Sequence, residues 1–325
     1  MAHSLVTGGF GFVGRHLVRM LVERGDSVTA FDLIPHSPFL EDIKDKFRVK
    51  VGDLANWVHL AEAIREAGRI DTIYHVGAAI PPLTERDPSA AFNANIVGTF
   101  NVLEAARQFG VKSVIFASTQ STYSDGDAFI PDDYPQRPGT FYGMTKVCGE
   151  RLGESYWRHF GVNFRGVRYC IVNGPGRGGV NPGQFVVWTL QMAALKRPFK
   201  VFVEPDVEVA SIYVKDAAKA LIDLNDAPES KLRQRVYGIM GYTVTARELV
   251  DVAKKYVPDA DLTFRVNEEM MEKVRSLNLA RRMDIEPAKQ DWGFEPRFNL
   301  DRSMQDYLKE CTEHRDLLNY PIPEF

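Results

Sequence analysis

Three glycines at three-residue intervals, Gly8, Gly11 and Gly14, lie between a short apolar stretch, Leu5-Val6-Thr7, and a helical pattern. That pattern places Leu17, Val18, Leu21 and Val22 on one face, and Gly25 marks its end. Strand, glycine loop and helix in this order leave few folds open to the chain. The glycines permit a tight turn, let backbone N–H groups approach a pyrophosphate, and let the helix pack closely on a sheet. The helix N-terminus then turns its positive end towards the phosphates. Glycines also make ordinary turns, so the triplet gains its meaning from the strand before it and the helix after it.

The rest of the first half keeps the same rhythm. Strands are expected at 28–31, 48–51, 72–76 and 113–117, with a sixth beginning near 164. Helices are expected at 57–67, 88–109 and 141–160. This β–α alternation predicts a parallel sheet covered on both faces. After Asn173-Gly174-Pro175-Gly176 the texture changes: residues 176–183 read as a glycine- and proline-rich loop. Helices at 184–196, 216–226 and 245–256 then alternate with short strands, without a second glycine fingerprint. The expected fold class is α/β: a Rossmann-type doubly wound parallel sheet in residues 1–173 and a smaller C-terminal α/β substrate domain in 174–325, with some chain exchanged between them.

Two carboxylates follow strands. Asp32 ends the second strand 18 residues after Gly14, where it can bind the adenosine ribose hydroxyls. No arginine follows closely to neutralise a 2′-phosphate, which favours NAD over NADP. Asp53, after the third strand, suits either an adenine contact or a helix N-cap.

The chemistry centres on Tyr142-Gly-Met-Thr-Lys146. A lysine four residues after a tyrosine shares its helix face. A phenol with a pKa of about 10 is a poor base at neutral pH, and a nearby ammonium favours the phenolate. A tyrosine so tuned takes a proton from an alcohol as hydride leaves its carbon. The bland alternative is an exposed helix face.

Charged residues are 26 % of the chain and the formal net charge is −3, so neither nucleic acid nor a membrane surface is an expected partner. Cys148, Cys170 and Cys311 lack metal-ligand spacing and read as free thiols, with no metal site. The first strand begins near His3, leaving no room for a signal peptide, and no apolar run approaches the roughly 18 residues of a membrane span. A cytoplasmic location is the expectation.

Taken together, Thr7–Gly14, Asp53-Leu54, His75-Val76-Gly77-Ala78-Ala79, Asn95–Thr99, Ala117-Ser118-Thr119, Tyr142–Lys146 and Arg168-Tyr169 resemble the extended short-chain dehydrogenase/reductase family. The resemblance implies bound NAD, with contacts from Gly8, Gly11, Phe12, Val13, Gly14, Asp32, Asp53, Leu54, Val76, Gly77, Ala78, Asn95, Ser118, Tyr142, Lys146 and Tyr169. It implies Tyr142 as general acid/base, Lys146 as the residue that binds the nicotinamide ribose and depresses the tyrosine pKa, and Thr119 as the hydroxyl that hydrogen-bonds the reacting oxygen. A hydroxyl capping a turn is the bland reading of Thr119, and a core histidine that of His75. The small-molecule substrate would meet Ile80, Thr119 and Gln120, from the loops around 80–86, 120–130 and 176–186; Arg177, in the glycine-rich loop near the expected substrate mouth, suits a substrate carboxylate or phosphate, with a solvated loop residue as its bland and preferred reading. By the same resemblance, the helices at 88–109 and 141–160 would form a four-helix homodimer interface.

Within that family, Gln120-Ser121 replaces the Asp-Glu pair that a dehydratase needs. Ile171 stands where nucleotide-sugar enzymes commonly carry an asparagine, and Val207–Ser211 offers no arginine for a diphosphate. The segments 137–150, 160–169 and 284–294 resemble the short-chain L-threonine 3-dehydrogenase branch instead. The expectation is hydride transfer at a secondary alcohol of a small polar hydroxy substrate. A nucleotide-sugar 4-epimerase with tightly held NAD is the alternative, since Cys170–Pro175 resembles that branch. A non-catalytic NAD-binding protein ranks below both, because Tyr142 and Lys146 are present.

Overall fold

The chain follows its apolar periodicity closely. The computed structural model describes residues 2–123, 129–179, 182–277 and 281–322, so residues 124–128 and 180–181 of the expected substrate loops lie outside the described residues. In the first half, β1 (His3–Thr7), α1 (Phe12–Glu23), β2 (Ser27–Asp32), β3 (Arg48–Val51), α2 (Trp57–Ala67) and β4 (Thr72–His75) come first. Then follow two short helices, α3 (Leu83–Arg86) and α4 (Pro88–Phe92), and α5 (Gly98–Phe109), β5 (Ser113–Thr119), the short β6 (Phe129–Ile130), α6 (Phe141–Phe160) and β7 (Asn163–Tyr169). The second half adds β8 (Ile171–Asn173), α7 (Gln184–Ala194), β9 (Phe199–Val201), β10 (Glu208–Tyr213), α8 (Val214–Asp226), β11 (Val236–Ile239) and β12 (Tyr242–Thr245). It continues with α9 (Ala246–Tyr256), β13 (Leu262–Phe264), α10 (Glu268–Leu277), β14 (Arg282–Met283), α11 (Glu286–Trp292) and α12 (Leu300–Glu313).

The main sheet has seven strands in the order β11-β7-β5-β4-β1-β2-β3. Every pairing is parallel. Both faces are covered. On one, Leu60 and Ile64 of α2 and Val102 and Leu103 of α5 meet Ile73 and Val114 of the sheet. On the other, Leu17, Val18 and Leu21 of α1 are fully buried, each burial stabilising the fold by roughly 1.5–3 kcal/mol. α8 packs against α1, and β11 lies beside β7 with Val236 opposite Gly166, so residues beyond 173 complete the first sheet. Smaller sheets, β12-β10-β8, β13-β9 and β14-β6, surround it.

Residues 88–109, expected as one helix, are α4, a π turn at Asn93–Val97 and α5. The side chain of Asn95 accounts for the interruption. Its Oδ1 accepts the Ala79 N–H at 2.7 Å, and its Nδ2 donates to the Ala79 carbonyl and to the Thr145 hydroxyl, both at 3.0 Å. A π turn is a local widening that re-aims one residue, common near functional sites.

Candidate active site

β1 and β4 are neighbours whose following loops run to opposite sides of the sheet, which creates the crevice where parallel sheets hold ligands. The glycine loop fills its floor. Gly8 has φ +66°, and a Cβ there would sit 2.5 Å from the Gly77 Cα. A Cβ on Gly14 would sit 1.9 Å from the Gly8 carbonyl oxygen. The helix therefore enters at backbone contact distance. Gly11 is its N-cap; no side chain caps this end and no acidic residue occupies the first turn, which holds Phe12 and Val13. The geometry suits an anion at the helix N-terminus.

Asp32 ties the loop to β2: Oδ2 accepts the Phe10 N–H at 2.9 Å and Oδ1 accepts the Leu33 N–H at 2.7 Å. Asp53 is exposed, and its Oδ1 accepts the Ala55 N–H at 2.9 Å. The N-cap of α2 is Asn56, so Asp53 forms a local turn and does not cap the helix. The carbonyl of Leu54 accepts from Asn101 at 2.8 Å, and its side chain lies against Gly77. Val76, Gly77 and Ala78 are half-buried, with the Val76 N–H donated to the Thr7 carbonyl and the Gly77 N–H to the Thr7 hydroxyl. His75 is a core residue, clamped between the hydroxyls of Thr7 (2.8 Å) and Thr99 (3.0 Å); burial lowers its pKa to about 3.

Tyr142 and Lys146 come together as their spacing requires. The Lys146 ammonium lies 5.9 Å from the centre of the Tyr142 ring and donates to the Ala117 carbonyl at 2.8 Å. Thr140 caps this helix by accepting the Gly143 N–H. A Cβ on Gly143 would sit 1.9 Å from the Ser121 carbonyl oxygen, so the turn after Thr119 rests directly on the start of α6. Thr119 accepts the Ser121 N–H at 3.2 Å, the turn-capping contact.

The expected electrostatics need correction. Burial pushes the Tyr142 phenol up to about 12, and the cation that partly offsets this is Arg177. Lys146 is itself lowered to about 8 by burial, with Glu150 opposing the change. The lysine shares the face of Tyr142, yet desolvation sets the direction of the phenol's shift and Arg177 is the cation that opposes it. Two expected cofactor contacts also have other partners: the Ser118 hydroxyl donates to Glu150, and the Tyr169 hydroxyl to the Ala217 carbonyl at 2.7 Å. Their side chains serve the packing of α6 and α8 on the sheet.

Arg177 is drawn inward. Its Nη1 is buried without a hydrogen-bond partner among the described residues, burial lowers its pKa, and Tyr307, Tyr142 and Cys170 are the groups whose charge would act on it. Gln184 holds this loop by donating to the carbonyls of Arg177, Gly178 and Gly179 at 2.9–3.1 Å. Gln120 is buried with its Oε1 unpartnered, whereas Ile80 is exposed.

Sequence reasoning missed three contributors. Glu85 of α3 accepts the N–H groups of Tyr142 (3.2 Å) and Phe141 (3.3 Å), 57 and 56 residues away in the chain. Tyr307 of α12 is the group whose charge would act most on Arg177, its own hydroxyl is unpartnered among the described residues, and no local pattern marks it. Glu150, at the second four-residue step from Tyr142, was legible from spacing alone.

Relatives share this fold. The chain is 28 % identical over 303 residues to a mitochondrial L-threonine 3-dehydrogenase of Bos taurus, covering 91 % of this chain and 79 % of the relative. The crystal structure of an L-threonine dehydrogenase from Phytophthora infestans superposes with a TM-score of 0.85 at 29 % identity, over 96 % of this chain and 100 % of that one. A UDP-glucose 4-epimerase from Thermotoga maritima shares the fold, with a TM-score of 0.81 at 23 % identity, over 96 % of this chain and 99 % of that one. The model of the NAD dependent epimerase/dehydratase family matches residues 4–239. The chain belongs to that family, within the extended short-chain dehydrogenases, and is an NAD-dependent enzyme.

Proposed function

We propose that the enzyme oxidises a secondary alcohol in a small hydroxy substrate bearing an anionic group, in the manner of a threonine dehydrogenase. The observation that carries this reading is the pairing of Tyr142 with a buried guanidinium, Arg177, that has an unpartnered N–H. A carboxylate accepting from Arg177 would satisfy that donor through a charge-assisted hydrogen bond. Its hydroxyl-bearing carbon would then lie near Tyr142.

NAD, when bound, supplies the hydride acceptor. The uncapped first turn at Gly11, Phe12 and Val13 would hold its pyrophosphate, Asp32 its adenosine ribose, and Lys146 its nicotinamide ribose. Gly8, Gly14 and Gly77 keep the floor clear of side chains, and Asp53, Leu54, Val76, Ala78 and Asn95 border it. Held as a phenolate by the positive charge that the oxidised nicotinamide would bring beside the Lys146 ammonium, Tyr142 would accept the alcohol proton as hydride leaves the carbon, while the Thr119 hydroxyl would turn its proton from Ser121 Oγ to the same oxygen. Gln120 and Ile80 would border the substrate. The chain is further proposed to act as a homodimer, because Phe100, Met144 and Phe160 are exposed on α5 and α6. Light scattering that returned a monomer mass at every concentration would remove that part.

The test is absorbance at 340 nm with NAD across hydroxy amino acids, hydroxy acids, polyols and free sugars, with UDP-sugars assayed in parallel for isomer exchange. Catalytic NADH release with a small anionic alcohol is the expected result. UDP-sugar interconversion without net NADH would replace this reading with the epimerase.

A further inference from the structure

α6 carries Tyr142, Lys146 and Glu150 at four-residue steps, so all three lie along one helix face. Glu150 is fully buried and fully engaged. It accepts the Ser118 hydroxyl, the Arg168 Nε at 3.1 Å and Nη2 at 2.8 Å, and the Gln136 amide at 2.8 Å. Each partner adjoins the site. Ser118 precedes Thr119 on β5, Arg168 lies opposite Ser118 on β7, and Gln136 belongs to the segment leading into α6. Arg168 extends the network by donating Nη1 to the Tyr123 hydroxyl at 3.0 Å and to the Asp132 carbonyl at 3.2 Å.

A buried ion pair contributes little net stability, because desolvating two charges offsets their attraction. One turn away, Lys146 is 3 % exposed and has the Ala117 carbonyl as its hydrogen-bond acceptor. Burial acts against its charge, and Glu150 is the group that acts for it. The other titratable groups on the elements packed around Lys146 do not take that part. His75 from β4 is kept neutral, Tyr142 is raised by burial, and Arg168 from β7 is a cation paired to Glu150.

We propose that Glu150 is a positioning residue for the reaction. From one turn behind, its charge holds the Lys146 ammonium in place, and through Ser118 and Arg168 it fixes β5 and β7 against the catalytic helix. The inference rests on the roles of Tyr142 and Lys146 proposed above.

The test compares Glu150→Gln, which keeps the shape and loses the charge, with Glu150→Asp, which keeps the charge. Three quantities are measured: the pH profile of kcat, NAD affinity by tryptophan fluorescence at pH 6.5 and 8.5, and melting temperature. In Glu150→Gln the alkaline limb should move down by about one pH unit, with NAD affinity reduced roughly tenfold at pH 8.5 and little changed at pH 6.5. Glu150→Asp should restore the limb. If Glu150→Gln leaves Arg168 unpaired and does not fold, Glu150→Gln with Arg168→Met removes both charges. Its limb is still expected below the original, because Glu150 shares the lysine's helix. A folded charge-free variant with a lowered melting temperature but an unmoved limb and affinity would overturn the proposal. Lys146→Met tests the underlying reading separately: unchanged turnover and NAD affinity there would mean that the lysine itself has no role.

Discussion

Two regions at the same end of the sheet are built on opposite terms. Around the glycine loop, the polar groups that line the crevice find partners within the protein, Asp32 with Phe10, His75 with Thr7 and Thr99, Asn95 with Ala79 and Thr145, and only Arg15 Nε and His16 Nε2 behind it on α1 lack one among the described residues. Around Arg177, the Arg177 Nη1, Tyr307 hydroxyl, Gln184 Oε1 and Asn173 Oδ1 are buried without one among the described residues. Leaving such a group unpaired costs about 1–3 kcal/mol. The first region is a scaffold whose crevice-lining side chains are satisfied and whose backbone presents a ligand surface. The second carries hydrogen-bonding capacity that its own packing does not use, a configuration that favours binding over stability.

The largest effect expected is on chemistry, with the scaffold left alone. Tyr142→Phe should lower kcat by roughly 10²–10⁴ while NAD affinity and melting temperature stay near the original; turnover within tenfold would show that the phenol is not the acid/base. Next comes the scaffold itself. In Gly14→Ala the new Cβ meets the Gly8 carbonyl oxygen at 1.9 Å, a backbone atom that cannot rotate away. A loss of about 3 kcal/mol in denaturant unfolding is expected, with weakened NAD binding. Unaltered stability would show that the loop relaxes and that its fit is looser than described.

Arg177→Met sharpens the contrast from the other side. Loss of a charged hydrogen bond to the substrate should raise KM roughly 10–100-fold. Because the guanidinium is buried with an unpartnered N–H, the melting temperature should hold or rise. A lowered melting temperature with unchanged KM would make Arg177 a structural residue.

The smallest effect lies at the far end of the sheet. The His3 N–H, then Lys112, lower the pKa of Asp71 to about 2. A depressed carboxylate stabilises the fold above its unfolded value, about 3.9, and that stability is lost as pH falls towards 2. Asp71→Asn should therefore cost on the order of 1 kcal/mol at pH 7, read by urea unfolding, and cost nothing near pH 2. kcat should not change; a changed kcat would mean that the two ends of the sheet are coupled.

Much of this was legible from local pattern. The six expected strands lie where apolar alternation placed them, and Thr140 and Gly161 bound α6 as a cap and a left-handed glycine should. The π turn at 93–97 was not legible, because it follows from Asn95 reaching Ala79 and Thr145, 16 and 50 residues away. Nor was the role of Asp53, whose competitor for the N-cap, Asn56, lies three residues on. At the site, the placement of Tyr142 beside Lys146 followed from helix geometry, but their electrostatics did not.

The sequence by itself determined the order of strands and helices, the glycine loop at the head of α1, and the shared face of Tyr142, Lys146 and Glu150. Each depends on backbone sterics or on a helical period, and so on neighbours a few residues apart. Only the tertiary structure decided which charges act. Burial sets the phenol near 12 and the ammonium near 8. Packing brings Arg177 to the tyrosine from 35 residues further along the chain, and Tyr307 to Arg177 from 130 residues beyond that. Desolvation depends on everything packed around a group, and no local pattern carries that information.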